Sequence, residues 1–476
     1  MIEDSRLKVF ITVARCGSFS AAARELGITQ PAVSQNMAEL ERQLKVKLFK
    51  RYKNTVALTE AGEKLLPHAN GILDSYGALE RGYIAPKTML LKNIYHEGKR
   101  TDILIKDGRF ADLHAPSGTV ADHVIEAGNL AILPAFYNVH THAAMTLLRG
   151  YADDMDLDKW LNDYIWPFES KLTEDDIFQG SKLAVEEMVS SGTVFFSDMY
   201  FEIHRTVEAV EAAGIRAALG ITVMENHSKA QEEAKLKFIN DFNDSTGGRI
   251  SLTIAPHAIY TVGPEKLKRS AALARERGLK LHIHVAETKK EVEDCVCEHG
   301  TTPVRYLDSL GFLGPDVIAA HCVHVDEEEW KILADRGVTV VHCPDSNMKL
   351  GSGRFPYELA IKSGCRITLG TDGASSNNNL DMREAMKFAA FLAKVTGDPT
   401  LLPAEEVLKW ATKNGAETFG IDAGEIAEGK LADAILVDLD NPKMRPCHNL
   451  ISNWVYSADS SCISYVLCGG RVVFER

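Results

Sequence analysis

"LPAFYNVHTHAAM", residues 133–145, is an apolar run that ends on two histidines, His140 and His142. A buried parallel strand reads as a near-continuous apolar stretch, and residues two apart on it point the same way. Both imidazoles therefore face one spot at the carboxyl end of a strand. Seven further runs share this character: "TVFFSDM", "RAALGITV", "ISLTIAPHA", "LKLHIHVAE", "VIAAHCVH", "VTVVHCP" and "RITLGTD". Helical patterns such as "EDDIFQGSKLAVEEMVSSG" and "PEKLKRSAALARERG" separate most of them. Eight β/α units across residues 131–420 predict an α/β (β/α)8 barrel. Hairpin-like strands flank it on both sides ("TDILIKDGRF", "ADAILVDLD", "SYVLCGGRVVF") and are expected to pair into one small β-sandwich.

Barrel active sites are built at the carboxyl ends of the strands. The first strand ends with His140 and His142, and the fifth with His284, followed three residues later by Glu287. The sixth carries His321 and the eighth ends with Asp372. Three or more histidines and a carboxylate at one barrel mouth suit one catalytic divalent metal, zinc first and iron as the alternative, with a position left for water. His282, His324 and His342 are read as core histidines instead.

The chain has 476 residues, 45% hydrophobic and 25% charged, which is globular composition with room for more than one domain. There is no apolar run of membrane-spanning length, and the opening "MIEDSRLKVF" lacks the layout of a signal peptide. Nine scattered cysteines without a CxxC motif are expected as reduced thiols in a cytoplasmic protein. Charge is uneven. Residues 1–87 hold 13 Lys/Arg against 9 Asp/Glu, a net +4, whereas residues 88–476 hold 40 against 57, a net −17. A basic head on an acidic body fits a nucleic-acid module joined to something else.

In that head, apolar residues recur at helical spacing from Leu7 to Leu48. Ser18 can cap a helix over "FSAAAREL", Gly27 ends it, and Pro31 suits the first turn of the next. Two short helices about a tight turn are a helix-turn-helix signature. The second presents Gln30, Ser34 and Gln35 near its start, polar groups able to reach base edges or phosphates. Lys45, Lys47, Lys50, Arg51 and Lys53 follow, ahead of "TVALTEAGEKLL", read as a two-stranded wing and a further helix.

The order "GSFSAAARELGITQPAVSQNMAELERQLKVKLFKR…VALTEAGEKLL" resembles the winged helix-turn-helix of LysR-type transcriptional regulators over residues 5–70. The resemblance implies DNA contacts from Gln30, Pro31, Ser34, Gln35 and Arg51. Those regulators continue into a long dimerising helix and a co-inducer domain. Here "HANGILDSYGALERGY" is read as a short helix, with Gly71 and Gly77, stopping near Pro86. The expected layout is a winged helix-turn-helix over 1–65, a short helix and linker over 66–88, the β-sandwich over 89–131 and 424–476, and the barrel over 132–423.

Farther on, "NVHTHAAM", "HIHVAET", "AAHCVHVDEEE", "HCPDSNMKLGSG" and "LGTDGASSNNNLDM" resemble the amidohydrolase superfamily, in its adenosine, S-adenosylhomocysteine and methylthioadenosine deaminase branch. The resemblance covers residues 89–476 and implies His140, His142, His284 and Asp372 as metal ligands, with His321 bonded to the attacking water. It also places Glu169 at the ribose hydroxyls and His257 at the nucleoside, with Trp160 and Trp166 over the pocket. Branch members that favour S-adenosylhomocysteine carry arginines after the third strand, whereas here the stretch is "GITVMENHSKAQEEAK", with Lys229 the substitute considered. In the implied reaction Asp372 takes the water proton, Glu287 protonates a ring nitrogen and His321 stabilises developing charge. The expected substrate is a 6-aminopurine nucleoside, handled by a homo-oligomer whose head either still binds DNA or is kept as a three-helix scaffold that binds it weakly or not at all. The alternatives are another amino-heterocycle (guanine, a pterin, aminodeoxyfutalosine) or a nucleoside-sensing regulator.

Overall fold

The computed structural model describes residues 5–52, 56–83, 87–242, 247–395 and 397–476. It divides into two units, Met1–Ala85 and Pro86–Arg476.

The first unit is built on α1 (Ser5–Cys16), α2 (Phe19–Glu25) and α3 (Gln30–Leu44). Ser18 and Thr29 sit extended at the starts of α2 and α3 and accept from the Ala21 and Ala32 amides, supplying acceptors that helix starts lack. Phe10, Val13, Ala22, Val33, Met37 and Leu40 turn inward to one core. The wing is β1 (Phe49–Arg51) paired antiparallel with β2 (Val56–Leu58). Next comes α4 (Glu60–Tyr83), 24 residues without a break. This corrects the expected short helix and linker over 66–88. A glycine costs a helix only about 1 kcal/mol, so Gly71 and Gly77 do not end it, and Ala69, fully buried, anchors it to the core.

The second unit opens with β3 (Thr88–His96), β4 (Lys99–Lys106), β5 (Arg109–Asp112), β6 (His123–Glu126) and β7 (Leu130–Pro134). Eight barrel segments follow: β8 (Phe136–His142), β9 (Thr193–Tyr200), β10 (Arg216–Val223), β11 (Ile250–Pro256), β12 (Lys280–Val285), β13 (Val317–His321), β14 (Thr339–His342) and β15 (Arg366–Leu369). The eighth strand resumes as β16 (Asp372–Gly373), and β17 (Ala434–Asp438), β18 (Ile463–Cys468) and β19 (Arg471–Glu475) close the chain. Segments β8 to β15 run parallel in sequence order, and β16 pairs back onto β8, which closes the ring. Each of the eight expected runs is a strand of it.

Gly370 lies between β15 and β16. A Cβ there would stand 2.8 Å from His140 Cβ and 2.9 Å from its amide nitrogen. Only glycine lets the eighth strand come this close to the first.

Strands from both flanks share one sheet in the order β19-β18-β17-β7-β3-β4-β5, with β6 on β3. It has its own apolar core, including Met89, Leu91, Ile103, Phe110, Leu436 and Leu467. The boundary expected at 131/132 falls inside β7, which pairs with β17 from Leu130 to Pro134, so the barrel begins at Phe136. Beneath the barrel, Arg216 Nη1 donates to Asp433 Oδ2 at 2.6 Å, and the Tyr137 hydroxyl donates to the same carboxylate. All nine cysteines are free thiols. Among the described residues no helix is long and apolar enough to cross a membrane.

Candidate active site

Strand register brings the polar ends together. Pairing of Asp372 with Thr141 sets the carboxylate between His140 and His142. Its Oδ1 lies 3.5 Å from His140 Nε2 and 3.2 Å from His142 Nε2. Across the mouth, His284 Nε2 stands 3.4 Å from His142 Nε2. His140, His284 and His321 form a second close group of nitrogens.

The outer faces of the four imidazoles explain why the inner ones point as they do. His142 Nδ1 donates to the Met199 carbonyl at 2.6 Å, and His284 Nδ1 to the His257 carbonyl at 2.8 Å. His321 Nδ1 donates to Asn347 Oδ1 at 2.9 Å, and His140 Nδ1 lies 2.9 Å from His282 Nε2. With each Nδ1 engaged, each Nε2 is turned toward the centre, the orientation metal-ligating histidines require. His140 Nε2 is buried and has no hydrogen-bond partner. A buried nitrogen left so, beside a carboxylate and two more imidazoles, is the donor set of a divalent cation site. Burial lowers His140 to about 4, which keeps the Nε2 lone pair free.

Backbone geometry marks the same rim. Ala286, His321, Cys322 and Asp372 have φ of 50°, 72°, 49° and 63°. Non-glycine residues in that region cost about 1–3 kcal/mol each and cluster where function over-determines the backbone.

The centre opens into a cavity of about 890 Å³ whose wall includes His142, His257, His284, Glu287, His321 and Asp372. Glu287 is buried, with Oε2 3.8 Å from His321 Nε2, and the Ser352 hydroxyl donates to its Oε1 at 3.3 Å. Burial pushes its carboxyl above the ordinary range, as suits a proton donor at neutral pH. Glu169, Trp160 and Trp166 line the same cavity. Burial raises Glu169 to about 7, although the Tyr200 hydroxyl donates to its Oε1 at 2.6 Å. His257 lines the cavity too, its ring 2.8 Å from Thr261 Oγ1. Lys229 does not belong here. It is exposed at the start of the helix Lys229–Asp241 and outside the cavity wall.

Residues 131–473 match the amidohydrolase family. The chain belongs to that family. A 5-methylthioadenosine/S-adenosylhomocysteine deaminase of Pelotomaculum thermopropionicum is 47% identical over 366 residues, 76% of this chain and 84% of the relative. A 5'-deoxyadenosine deaminase of Methanosphaera stadtmanae is 45% identical, over 79% of this chain and 90% of its own. Among solved structures, a zinc-bound adenosine deaminase of Xanthomonas campestris superposes with a TM-score of 0.76 at 32% identity, covering 81% of this chain and 92% of that one. Residues 5–63 match the lysR family of bacterial regulatory helix-turn-helix proteins.

This amidohydrolase carries supporting residues whose roles at the site the sequence did not show. His282 backs His140 and in turn stands 3.2 Å from Ser197 Oγ. Ser346 Oγ donates to Asp372 Oδ2 at 2.6 Å. Glu291 accepts the Ala286 and Glu287 amides at 2.9 and 2.8 Å, bracing the turn that carries the acid. Asp198, fully buried, accepts the Ala143 amide at 2.7 Å. The signal for Ser346, Asn347 and Ser352 lay in "HCPDSNMKLGSG", a stretch whose polar residues cannot serve a buried helix start unless they bond inward. His342 keeps to the core, bonded to the Tyr357 hydroxyl, whereas His324 is only half-buried, its Nε2 bonded to the Ser352 carbonyl.

In the N-terminal unit, Gln30, Pro31 and Gln35 are exposed on the first turns of α3 and Ser34 is half-buried. Arg51 ends β1, and its side chain lies outside the described set.

Proposed function

We propose that this chain is a hydrolytic deaminase that converts a 6-aminopurine nucleoside and water to the 6-oxo nucleoside and ammonia. The observation that carries this is the set of inward-aimed Nε2 atoms around Asp372, with a buried acid, Glu287, facing the same cavity. The relatives named for methylthioadenosine, S-adenosylhomocysteine and 5'-deoxyadenosine support the substrate class.

His140, His142, His284 and Asp372 would hold one divalent cation, with zinc favoured by the zinc-bound neighbour and iron the alternative. Such a cation supplies a Lewis acid that lowers the pKa of water to about 7. The protein's own groups do the rest. Asp372 takes the proton of the water whose oxygen adds to C6. Glu287 delivers a proton to the neighbouring ring nitrogen, so that charge does not build up on the purine. His321, its Nδ1 held by Asn347, accepts a hydrogen bond from the attacking water at Nε2 and orients it. Passage of the Asp372 proton to the exocyclic amine lets the C6–N bond break, ammonia leaves, and the remaining hydroxyl proton returns to Glu287 as the C6 carbonyl forms. Glu169 binds the ribose hydroxyls, His257 orients the nucleoside and Trp166 closes the cavity over it.

The flanking strands are proposed to fold over their shared core as a sandwich over 88–134 and 434–475, around a barrel from 136 to about 423. The N-terminal unit is proposed to place α3 on DNA, with Gln30, Pro31, Ser34, Gln35 and Arg51 at the contact, within a cytoplasmic homo-oligomer. A 24-residue α4 gives two copies a segment along which to pair.

Ammonia release from adenosine, 5'-deoxyadenosine, methylthioadenosine, S-adenosylhomocysteine and guanine by metal-loaded protein tests the reading, with Glu287→Gln as the blank. Turnover of the adenine nucleosides, lost in the variant, is the expected result. Turnover of guanine alone would move the assignment to another amino-heterocycle.

A further inference from the structure

Behind the active site the helix Pro344–Lys349 packs against the helix Met382–Lys394. Each buries a charged residue of its first turn, Asp345 at 8% exposure and Arg383 at 6%. Asp345 Oδ2, Arg383 Nε and Arg383 Nη1 are all shut off from solvent and have no hydrogen-bond partner. Among the described residues the guanidinium forms no ion pair. The two charges act on each other all the same. Burial first, then Glu384 and Asp381, raise Asp345 to about 7, and Arg383 pulls it down. Asp381 is likewise raised by burial and pulled down by Arg383. The countercharge of Arg383 is therefore near, but not in contact with it. Two donors and an acceptor, all buried, are what an enclosed water requires. Three carboxylates in the same neighbourhood disfavour an anion in its place.

The two residues after Asp345 serve the site. Ser346 Oγ donates to Asp372 Oδ2 at 2.6 Å, and Asn347 Oδ1 accepts from His321 Nδ1 at 2.9 Å. Successive residues of a helix are turned by about 100°. With Ser346 and Asn347 facing the site, Asp345 lies on the back of the same turn. The far end of this short helix is fixed by Lys349, whose Nζ donates to Asn378 Oδ1 at 2.7 Å, to the Ser375 carbonyl at 3.2 Å and to Asp153. Its near end has Asp345 as the polar group turned toward the neighbouring helix.

We propose that Arg383 is a positioning residue of the deaminase. Bridged to Asp345 through buried water, it fixes the rotation of the helix Pro344–Lys349 and so holds Ser346 on Asp372 and Asn347 on His321. This rests on the deaminase reading above, and it adds to the site a residue that touches neither nucleoside nor metal.

The test measures kcat and KM at saturating metal, with the adenine nucleoside that the full chain turns over fastest. The proteins compared are wild type, Arg383→Met, Asp345→Leu and the double variant. Each single variant lowers kcat about tenfold or more, as loss of an outer support does. KM stays within about twofold, because Asp372 and His321 act on the water whereas Glu169 and His257 hold the nucleoside. The double variant is no slower than the slower single one, as members of one unit behave. A lower melting temperature with wild-type kcat marks a packing role and overturns the proposal. So does a loss taken in KM, or losses that multiply in the double variant. Where a single variant does not fold, the double variant, which leaves no buried charge of the pair unmatched, decides alone. Its kcat about tenfold down at unchanged KM supports the proposal, and wild-type kcat overturns it. A crystal structure of the wild-type protein gives a second reading. Arg383 within one water of Asp345 Oδ2 is expected, and a guanidinium turned to solvent overturns the bridge. If no nucleoside releases ammonia, the deaminase reading fails separately, and that crystal structure still decides whether the bridge exists.

Discussion

His282 Nε2 stands 2.9 Å behind His140 Nδ1, and the far nitrogen of His282 stands 3.2 Å from Ser197 Oγ. A proton on each Nδ1 satisfies the whole chain and leaves His140 Nε2 bare at the centre. His282 therefore sets the tautomer of His140 without reaching the cavity. Replacing it with leucine should lower metal affinity about 10–100-fold. Competition against a chelator, read by metal analysis of the protein, checks this. Full metal retention in a folded His282→Leu protein would contradict it.

Glu287 is the group with no duty in holding the metal. Glu287→Gln keeps the size and the bond from Ser352 but has no proton to give. Its kcat should fall about 10²–10⁴-fold with metal content unchanged. A nucleoside should still bind, which separates loss of chemistry from loss of the site. Single-turnover ammonia release beside equilibrium binding measures both.

What was legible in the sequence follows a physical line. His140 and His142 declare themselves because a strand has period two, and His284, His321 and Asp372 because each ends an apolar run. His282 has the same period relative to His284 and was set aside as core, which it is, yet its contact with His140 comes from a strand 142 residues away. No local pattern encodes that. Asn347 lies on a helix and acts on His321, 26 residues earlier, so its role exists only in three dimensions, whereas Glu291 accepts amides just four and five residues before it. Helix α4 was misjudged because its glycines were weighed without the packing of Ala69 that outweighs them. Lys229 lies close in the chain to the strand end, yet it is exposed and outside the cavity wall, because proximity in sequence carries no direction.

Arg216 and Asp433 pair at 2.6 Å with side-chain exposures of 10% and 0%, and join a barrel strand to the flanking sheet. Removing one partner strands a buried charge. Asp433→Ala should cost about 3–5 kcal/mol, aggravated by the loss of the acceptor for Tyr137 and for the Gly469 amide. The double variant Arg216→Met with Asp433→Leu should recover much of it. Chemical denaturation of the three proteins gives the comparison, and a double variant as weak as the single one would refute the account.

Glu169 has a pKa raised by burial to about 7, against an ordinary 4.5. A carboxyl raised on folding contributes its full stability below the unfolded value, and that contribution is lost as pH rises through about 7. Glu169→Gln keeps the acceptor for Tyr200 and removes the titration. Relative to wild type it should gain stability between pH 5 and pH 8, by something on the order of 1–3 kcal/mol. Other buried carboxyls titrate in both proteins and cancel in the difference. Melting temperatures without nucleoside across that window test it, and a constant difference would rule it out.

Among the described residues the sheets of the second unit are built from its own strands. Thr88 begins β3, with its amide and hydroxyl both 2.9 Å from Asp122, and the β3–β4 ladder is paired from that residue onward. A protein of residues 87–476 should therefore keep kcat/KM within about twofold of the full chain, as independent units do. DNA binding should be lost with the same cut. In the full chain, Gln35→Ala should weaken specific binding while leaving deamination alone, since Gln35 is exposed on α3. Gel-shift titration at two salt concentrations, beside the ammonia assay, reads both halves. A truncated protein that folds but loses turnover would mean that the head serves the enzyme, and the division of labour proposed here would be wrong.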